Sequence, residues 1–288
     1  MSPSSPTGEE GRLAPWRENG SRTGRWPALR LTEVWTFREL IGFFALRDFK
    51  VRYKQAFLGV AWAVVQPLVG AVAFTLLFHQ LADIDIGDHS YFAFSLVGYA
   101  VWSYFSTVVV AGSNSLLYNA DLLTKVAFPR LVLPIATLLP ALVDLAIGSA
   151  LGLVATIGAG ERPSPVGLVI GLPVGLVLLV VTVAGTVFLF SASIVRYRDV
   201  SVLLGFGLQV VLFASPVAYP TSLVPDEWRT VMYLNPLAGS LGLLRWGLVG
   251  MDPPSAADLL LSTLTAVVIL GAGLMYFRRN EQEFADII

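Results

Sequence analysis

The chain has no cysteine among its 288 residues and only two histidines, His79 and His89. Disulfides, thiolate nucleophiles and cysteine-based metal sites are therefore excluded, and two imidazoles are too few for a metal cluster. No Gly-x-x-x-x-Gly-Lys-Ser/Thr phosphate loop occurs either, so the chain has no recognisable P-loop site for ATP. We expect no metal and no cofactor in this chain. Energy for an active process would have to come from another polypeptide or from an ion gradient.

Charged residues are also scarce, at 14% of the chain, whereas 55% of the residues are hydrophobic. One soluble core of this size cannot hide so much apolar surface, so the composition indicates a membrane protein. A spanning helix needs about 20 mostly apolar residues. The sequence therefore predicts an all-α, polytopic membrane protein with six transmembrane helices. These spans are centred near Val69, Trp102, Asp144, Leu179, Gln209 and Val268.

The basic residues fall almost entirely on one side of these six spans. Of the 19 Lys and Arg residues, only Arg162, Arg229 and Arg245 lie in the segments predicted to face the other side. An excess of Lys and Arg marks the cytoplasmic side. We therefore expect both termini in the cytoplasm and a multi-pass protein of the cytoplasmic (inner) membrane.

The part of the chain before the first span divides at about residue 30. Residues 1–30 are rich in Ser, Pro, Gly and Arg, which is typical of a disordered cytoplasmic tail. Residues 31–54 are predicted to form an amphipathic helix at the cytoplasmic interface of the membrane, and residues 55–288 the six-helix transmembrane domain. A simple basic anchor for topology is the alternative interpretation of this helix. Its cationic residues near the membrane are Arg47, Lys50, Arg52 and Lys54.

A short cytoplasmic segment joins the second and third spans, at residues 119–134. Asn119 or Asp121 suits the cap of a short helix, and Pro129 suits its end. A helix of this size fits a groove on a partner protein, although an ordinary loop is the simpler interpretation. The residues of this segment that we expect to contact such a partner are Leu122, Lys125, Phe128, Pro129 and Arg130.

Aromatic and hydroxyl side chains follow one face of the second span. At about 100° per residue, Tyr99, Trp102, Ser103 and Ser106 share one sector of the helix, and the two rings lie too deep for an interfacial aromatic belt. Sugars have apolar faces that lie flat on aromatic rings and hydroxyl groups that pair with Ser or Tyr. The stripe therefore suits a path for a glycan, and packing against a neighbouring span is the alternative.

The third span contains a carboxylate, Asp144. An acidic side chain inside a membrane has to face polar groups, because exposing it to lipid is costly. One interpretation assigns Asp144 to the translocation path. The other gives it a structural role, with a hydrogen-bonding partner such as Ser149 or Thr137.

The segment after the fifth span interrupts helical structure twice. Ser215-Pro-Val-Ala-Tyr-Pro220 lacks two backbone donors, and the apolar stretch that follows, residues 230–244, is too short to cross a membrane. We expect a re-entrant or surface-lying helical hairpin on the outer side, between spans five and six. Its predicted role is an outer gate, formed by Pro216, Tyr219, Pro220, Tyr233 and Pro236.

Three of these segments together resemble ABC-2 type permeases that export lipid-linked polysaccharides such as O antigen, teichoic acid or galactan. They are the basic junction Asp48-Phe-Lys-Val-Arg-Tyr-Lys54, the Lys-Val-x-Phe-Pro-Arg-x-x-Leu-Pro string from Lys125, and the Ser-Pro-Val-x-Tyr-Pro break from Ser215. The resemblance covers residues 36–288. It implies that the segment between the second and third spans couples this chain to an ATPase subunit, through Leu122, Lys125, Phe128, Pro129 and Arg130. It implies a homodimer of this chain, two copies of a separate ATP-binding subunit that holds ATP and Mg, and a lipid-linked glycan as substrate. Nucleic acid is not an expected partner.

Other functions are less consistent with the sequence. An ABC-2 exporter of a drug or small lipid would share the architecture. An intramembrane enzyme acting on polyprenyl-linked sugars would need clustered acidic or basic groups near one leaflet, and the aqueous loops show no such cluster. The coupling-helix pattern disfavours a passive channel. We therefore predict a transporter subunit and not an enzyme.

Overall fold

The computed structural model describes residues 31–54, 59–281 and Phe284. The predicted disordered tail, residues 1–30, lies outside the described residues. Within the described part of the chain all regular structure is helical, as the composition predicts. Two helices come before the first span, α1 (Leu31–Thr36) and α2 (Arg38–Lys54).

Six further helices make up the first half of the membrane domain. They are α3 (Trp62–Phe74), which continues into a π-helical stretch (Thr75–Leu81), α4 (Tyr91–Ser113), α5 (Ser115–Tyr118), α6 (Ala120–Lys125), α7 (Val132–Ala136) and α8 (Pro140–Gly158). The turn of 3-10 helix before α3 covers Gly59–Ala61.

The second half begins with a π-helical stretch, Gly167–Gly171, and ends with a long helix. Its members are α9 (Leu172–Arg196), α10 (Asp199–Ala214), a 3-10 turn (Thr221–Leu223), α11 (Asp226–Tyr233), α12 (Pro236–Leu248) and α13 (Ala256–Asn280).

Five helical segments of the described chain are long and apolar enough to cross a membrane. The second span, α4, is the most buried of them and packs against α3, α8, α9 and α12. The last span, α13, packs instead against α9 and α12. The five segments are Trp62–Leu81, Tyr91–Ser113, Val132–Gly158, Gly167–Arg196 and Ala256–Asn280.

The predicted fifth span, α10, is shorter than the sequence suggested. It has 16 residues, which is about 24 Å of helix, whereas the hydrocarbon layer is about 30 Å thick. The cause is Pro216, since a residue before proline is driven out of the helical conformation, and Ser215 has an extended backbone with φ −102° and ψ 146°. A sixth crossing thus requires α10 and the segment after it together, and the count of six stays a prediction.

Glycines bring neighbouring spans into close contact. A Cβ added at Gly148 of α8 would lie 2.6 Å from the Cβ of Ala100 in α4. A Cβ added at Gly167 would lie 2.7 Å from the Cα of Gly247 in α12. Side chains at these positions would push the helices apart, so the glycines allow packing within one copy of the chain.

Candidate functional site

The loop between the second and third spans, predicted to be cytoplasmic, presents a short exposed surface. Helix α6 ends at Lys125, four residues before Pro129, because Val126 has an extended backbone with φ −131° and ψ 129°. Pro129 therefore does not end the helix, contrary to the interpretation from sequence. Lys125, Val126 and Ala127 are exposed. They form the surface that a partner protein could contact.

One side of this loop is held by helix α2. The Phe44 ring, which is 3% exposed, lies 6.1 Å from the Phe128 ring. Arg47 Nη1 donates a hydrogen bond to Asn119 Oδ1 at 3.0 Å. Asn119 does occupy the position before α6, but its side chain makes no capping bond there. It links α6 to α2 instead.

The other side of the loop is held by residues close to the C-terminus. The backbone N–H of Arg130 donates to Glu281 Oε1 at 3.3 Å, and Arg278 Nη1 donates to Glu281 Oε2 at 2.6 Å. The Arg130 guanidinium lies 6.0 Å from the ring of Phe284, which is buried against Phe277. Sequence reasoning missed this contact. A phenylalanine in an otherwise polar stretch was the available signal.

The predicted coupling residues thus divide by exposure. Lys125 is exposed, whereas the other four are partly buried where the loop meets α2 and the C-terminal residues. A displacement of the exposed surface would therefore act on both α2 and the C-terminal residues. The four partly buried residues are Leu122, Phe128, Pro129 and Arg130.

Asp144 is bonded to the interface helix and not to its own span. Arg52 Nη1 donates to Asp144 Oδ2 at 2.5 Å, and the hydroxyl of Tyr53 donates to Asp144 Oδ1. Burial, followed by the bond to Asp144, raises the pKa of Tyr53 to about 12, so the phenol keeps the proton that it donates. The expectation that Thr137 bonds Asp144 is wrong, because its hydroxyl donates to the Pro134 carbonyl at 2.7 Å.

Other polar residues lie near this pair, on α2 and on the first two spans. Lys50 and Lys54 of α2 are exposed and remain candidates for contact with lipid headgroups. Gln66 and Ser103 face Asp144 across a small gap between the first three spans. The ion pair therefore lies where the interface helix meets the predicted path.

The aromatic and hydroxyl residues predicted to share one face of the second span have different surroundings. The Tyr99 ring covers Gly70 of the first span, 2.3 Å from where a Cβ would be, and lies 5.9 Å from the Phe74 ring. This contact favours the packing interpretation for Tyr99. The Ser106 hydroxyl donates to the Trp102 carbonyl at 2.9 Å. Trp102 is partly exposed, and with Ser103 it remains the candidate for the path.

The segment after α10 contains two helices joined at Leu234 and Asn235, and Asn235 Oδ1 caps α12 by accepting from the Leu237 N–H at 3.1 Å. Helix α12 packs between the fourth and last spans. Tyr233 is only 1% exposed within its own protomer, so its side chain cannot form a contact between two copies in this arrangement. Trp228 of α11, 61% exposed, is better positioned for such a contact.

The break in the chain after α10 is stabilised by a buried arginine. Arg245 of α12 is 4% exposed, and its two terminal nitrogens donate to the carbonyls of Pro216 and Val217, each at 2.6 Å. The Tyr91 hydroxyl donates to the next carbonyl, that of Ala218. Sequence reasoning counted Arg245 as a charge on the outer surface. Its position in an apolar segment was the signal that it is buried.

The other predicted gate residues lie in or beside this break. Pro216 and Pro220 are buried, and the Tyr219 hydroxyl donates to the Phe213 carbonyl at 3.1 Å. Pro236 occupies the first turn of α12. Arg229 of α11 forms an ion pair with Asp258 of α13 at 2.8 Å. Helix α11 is thus bonded to the last span, and the hairpin arrangement and its gating role stay predictions.

Comparison with known proteins identifies the chain's relatives. A family model described as ABC-2 type transporter matches residues 39–249. The O-antigen export system permease protein RfbA of Myxococcus xanthus is 30% identical over 258 residues, which cover 89% of this chain and 98% of that protein. A protein of the same name from Klebsiella pneumoniae is 24% identical over 243 residues, covering 84% of this chain and 92% of the relative.

Proposed function

Because the chain belongs to the ABC-2 type transporter family, we propose that it is the transmembrane permease subunit of an exporter of lipid-linked polysaccharide. The observation that carries this proposal is the match along 98% of an O-antigen export permease at 30% identity. A match of this extent covers most of the chain and not one short motif. The O-antigen class of polymer is therefore the substrate class that we assign to the chain.

In this proposal a separate ATP-binding subunit supplies the energy. The exposed surface at Lys125, Val126 and Ala127 suits contact with such a partner, because it projects from a loop that is supported on both sides. Two copies of the permease would pair with two copies of the ATPase, in which ATP and Mg bind. Both termini and this loop would lie on the cytoplasmic face of the inner membrane.

Motion of the partner would reach the membrane through α2. This helix contacts the loop through Phe44 and Arg47, and contacts the third span through the Arg52–Asp144 ion pair. A displacement of the loop would therefore act on the span that borders Ser103 and Gln66. The glycan would pass beside this region and leave past the outer hairpin.

The direct test is deletion of the chain in its host. We expect lipid-linked polymer to accumulate on the cytoplasmic side and to disappear from the cell surface, with recovery of surface polymer when the wild-type chain is restored. Polymer can be measured by gel analysis of surface and total glycan. Unchanged surface polymer together with a new sensitivity to drugs would replace this function with export of a drug or small lipid.

A further inference from the structure

A cavity of about 510 Å³ lies between α10, which lines it from Val200 to Val211, and the helices α4, α9 and α13. Helices α9 and α10 are joined by only Tyr197 and Arg198, yet α10 buries only Leu204 and Leu208 among its 16 residues. Gly207 contributes no side chain to the gap, and a Cβ added there would meet nothing within 4 Å. A space is therefore left behind α10.

The walls of this cavity are mainly apolar. Phe105 of α4, Phe190 of α9 and Leu208 of α10 supply apolar surface. The hydroxyls of Thr186 and Ser193 also face the cavity, but each donates to a carbonyl one turn earlier in its own helix, at 2.8 Å. The volume lies within the range of about 300–1,000 Å³ that is usual for small-ligand pockets. The cavity thus suits a segment of one apolar chain.

Cations lie immediately beyond the cytoplasmic end of the cavity. Arg196 follows the wall residue Ser193 by three positions, and Arg279 follows the wall residue Tyr276 by three. Residues three apart share a helix face, so Arg196 and Arg279 follow the cavity-lining faces of their helices by about one turn. Arg198, in the turn between the helices, is exposed like the other two arginines. Guanidinium groups bind phosphate oxygens in pairs of hydrogen bonds.

We propose that this cavity binds the isoprenoid chain of a polyprenyl diphosphate, with the diphosphate held by Arg196, Arg198 and Arg279. The inference rests on the proposed function, which makes a lipid-linked glycan the substrate. An apolar chain matches the walls, and a diphosphate carries more negative charge than the single phosphate of a bilayer phospholipid. The cavity would hold the carrier lipid at the inner leaflet before the glycan enters the path.

Two glycines of α10 provide a matched test. A Cβ meets nothing within 4 Å at either Gly205 or Gly207, but only Gly207 lines the cavity. Full-length permease in nanodiscs is labelled with a photoreactive polyprenyl diphosphate. We expect Gly205→Phe to label like the wild type and Gly207→Phe, which fills the cavity, to label at least tenfold less. Equal labelling of all three proteins would overturn the site.

A second measurement does not depend on the folding of a variant. Peptide mapping of the labelled wild-type protein should recover the probe on residues that line the cavity in α9, α10 or α13. Labelling by a photoreactive polyprenol, which lacks the diphosphate, should be weaker than labelling by the diphosphate, and Arg196→Gln with Arg279→Gln should remove that difference. Label found elsewhere would contradict the proposal.

Other occupants give different results. Equal competition by phosphatidylglycerol would assign the cavity to bilayer phospholipid. Complete disulfide formation between two copies of Leu203→Cys, unaffected by the probe, would assign it to a second copy of the chain. Labelling uses neither glycan nor ATP, so the lipid site and the proposed function can fail separately. If deletion of the chain abolishes surface polymer but the permease shows no specific labelling, only the lipid site is contradicted. If the permease is labelled specifically but deletion of the chain leaves surface polymer unchanged, only the proposed function is contradicted.

Discussion

The guanidinium carbon of Arg245 lies 3.4 Å from the centre of the Phe94 ring, and the same group donates to the carbonyls of Pro216 and Val217. One side chain thus connects the second span, the break after α10 and helix α12. The arginine charge is stabilised by the aromatic face and by two carbonyl dipoles. In turn, the carbonyls of the broken backbone accept hydrogen bonds from Arg245 and would otherwise be buried without a donor.

Replacing this arginine should destabilise the protein strongly. Arg245→Met keeps much of the side-chain length but leaves two buried carbonyls without donors, so we expect the free energy of unfolding to fall by about 2–4 kcal/mol. Thermal unfolding of the purified protein measures the effect. Arg162→Met is the matched control, because Arg162 is an exposed arginine predicted on the same side of the membrane. Equal stability of the two variants would contradict the role of Arg245.

The two supports of the cytoplasmic loop should both be needed for binding the ATPase. Phe44→Ala and Phe284→Ala each remove a buried ring beside the loop, and we expect less ATPase to co-purify with either variant. Phe43→Ala is the control, since Phe43 neighbours Phe44 but is 64% exposed. Trypsin should also cleave after Lys125 or Arg130 faster in Phe44→Ala and Phe284→Ala than in the wild type. Wild-type binding and cleavage in both would show that the supports do not orient the loop.

The Arg52–Asp144 pair can be tested by a double-mutant cycle. Arg52→Gln, Asp144→Asn and the double variant should reveal a coupling free energy of about 0.2–1 kcal/mol, because both side chains remain partly exposed, at 33% and 24%. If the role of Asp144 is to hold α2, Asp144→Asn and Arg52→Gln should lower export equally. A loss of export in Asp144→Asn alone would favour direct contact with the substrate.

The aromatic residues of the second span should give opposite results. Tyr99→Leu should lower thermal stability, because the Tyr99 ring fills the space over Gly70. Trp102→Leu keeps much of the apolar volume but loses the flat ring, so we expect normal membrane expression and reduced export of polymer. Normal export in Trp102→Leu would place the glycan path on another span.

The sidedness of the protein can be measured by thiol labelling, because the chain has no cysteine. A cysteine at the exposed positions Asp88 or Asp226 should react with an impermeant reagent in intact cells. A cysteine at the exposed Lys125 should react only after the cells are opened. The opposite pattern would reverse the topology, and with it the assignment of the cytoplasmic loop.

Local sequence patterns predicted the helical architecture better than they predicted the contacts. Apolar length identified the five long helices of the described chain. The prolines at 216 and 220 correctly marked a break. These features depend on properties of neighbouring residues, which a single sequence displays directly.

The site contacts were harder to predict because they join residues far apart in the chain. Arg52 and Asp144 are separated by 92 positions, and Arg130 and Glu281 by 151. Helical periodicity shows which side of a helix a residue occupies, but not which helix packs against that side. For this reason the partner of Asp144 was wrongly sought in its own span, and Tyr99 was grouped with Trp102 although its ring packs on the first span.

The bond between Arg245 and the broken backbone also affects how the protein is made. The ribosome synthesises α10 and the carbonyls of Pro216 and Val217 about thirty residues before it reaches Arg245. Until then the nascent chain has a short apolar helix followed by carbonyls that lack their later donor. We therefore expect α10 to reach its final depth only after α12 has left the translocon. Insertion of α10 would then follow the docking of α12.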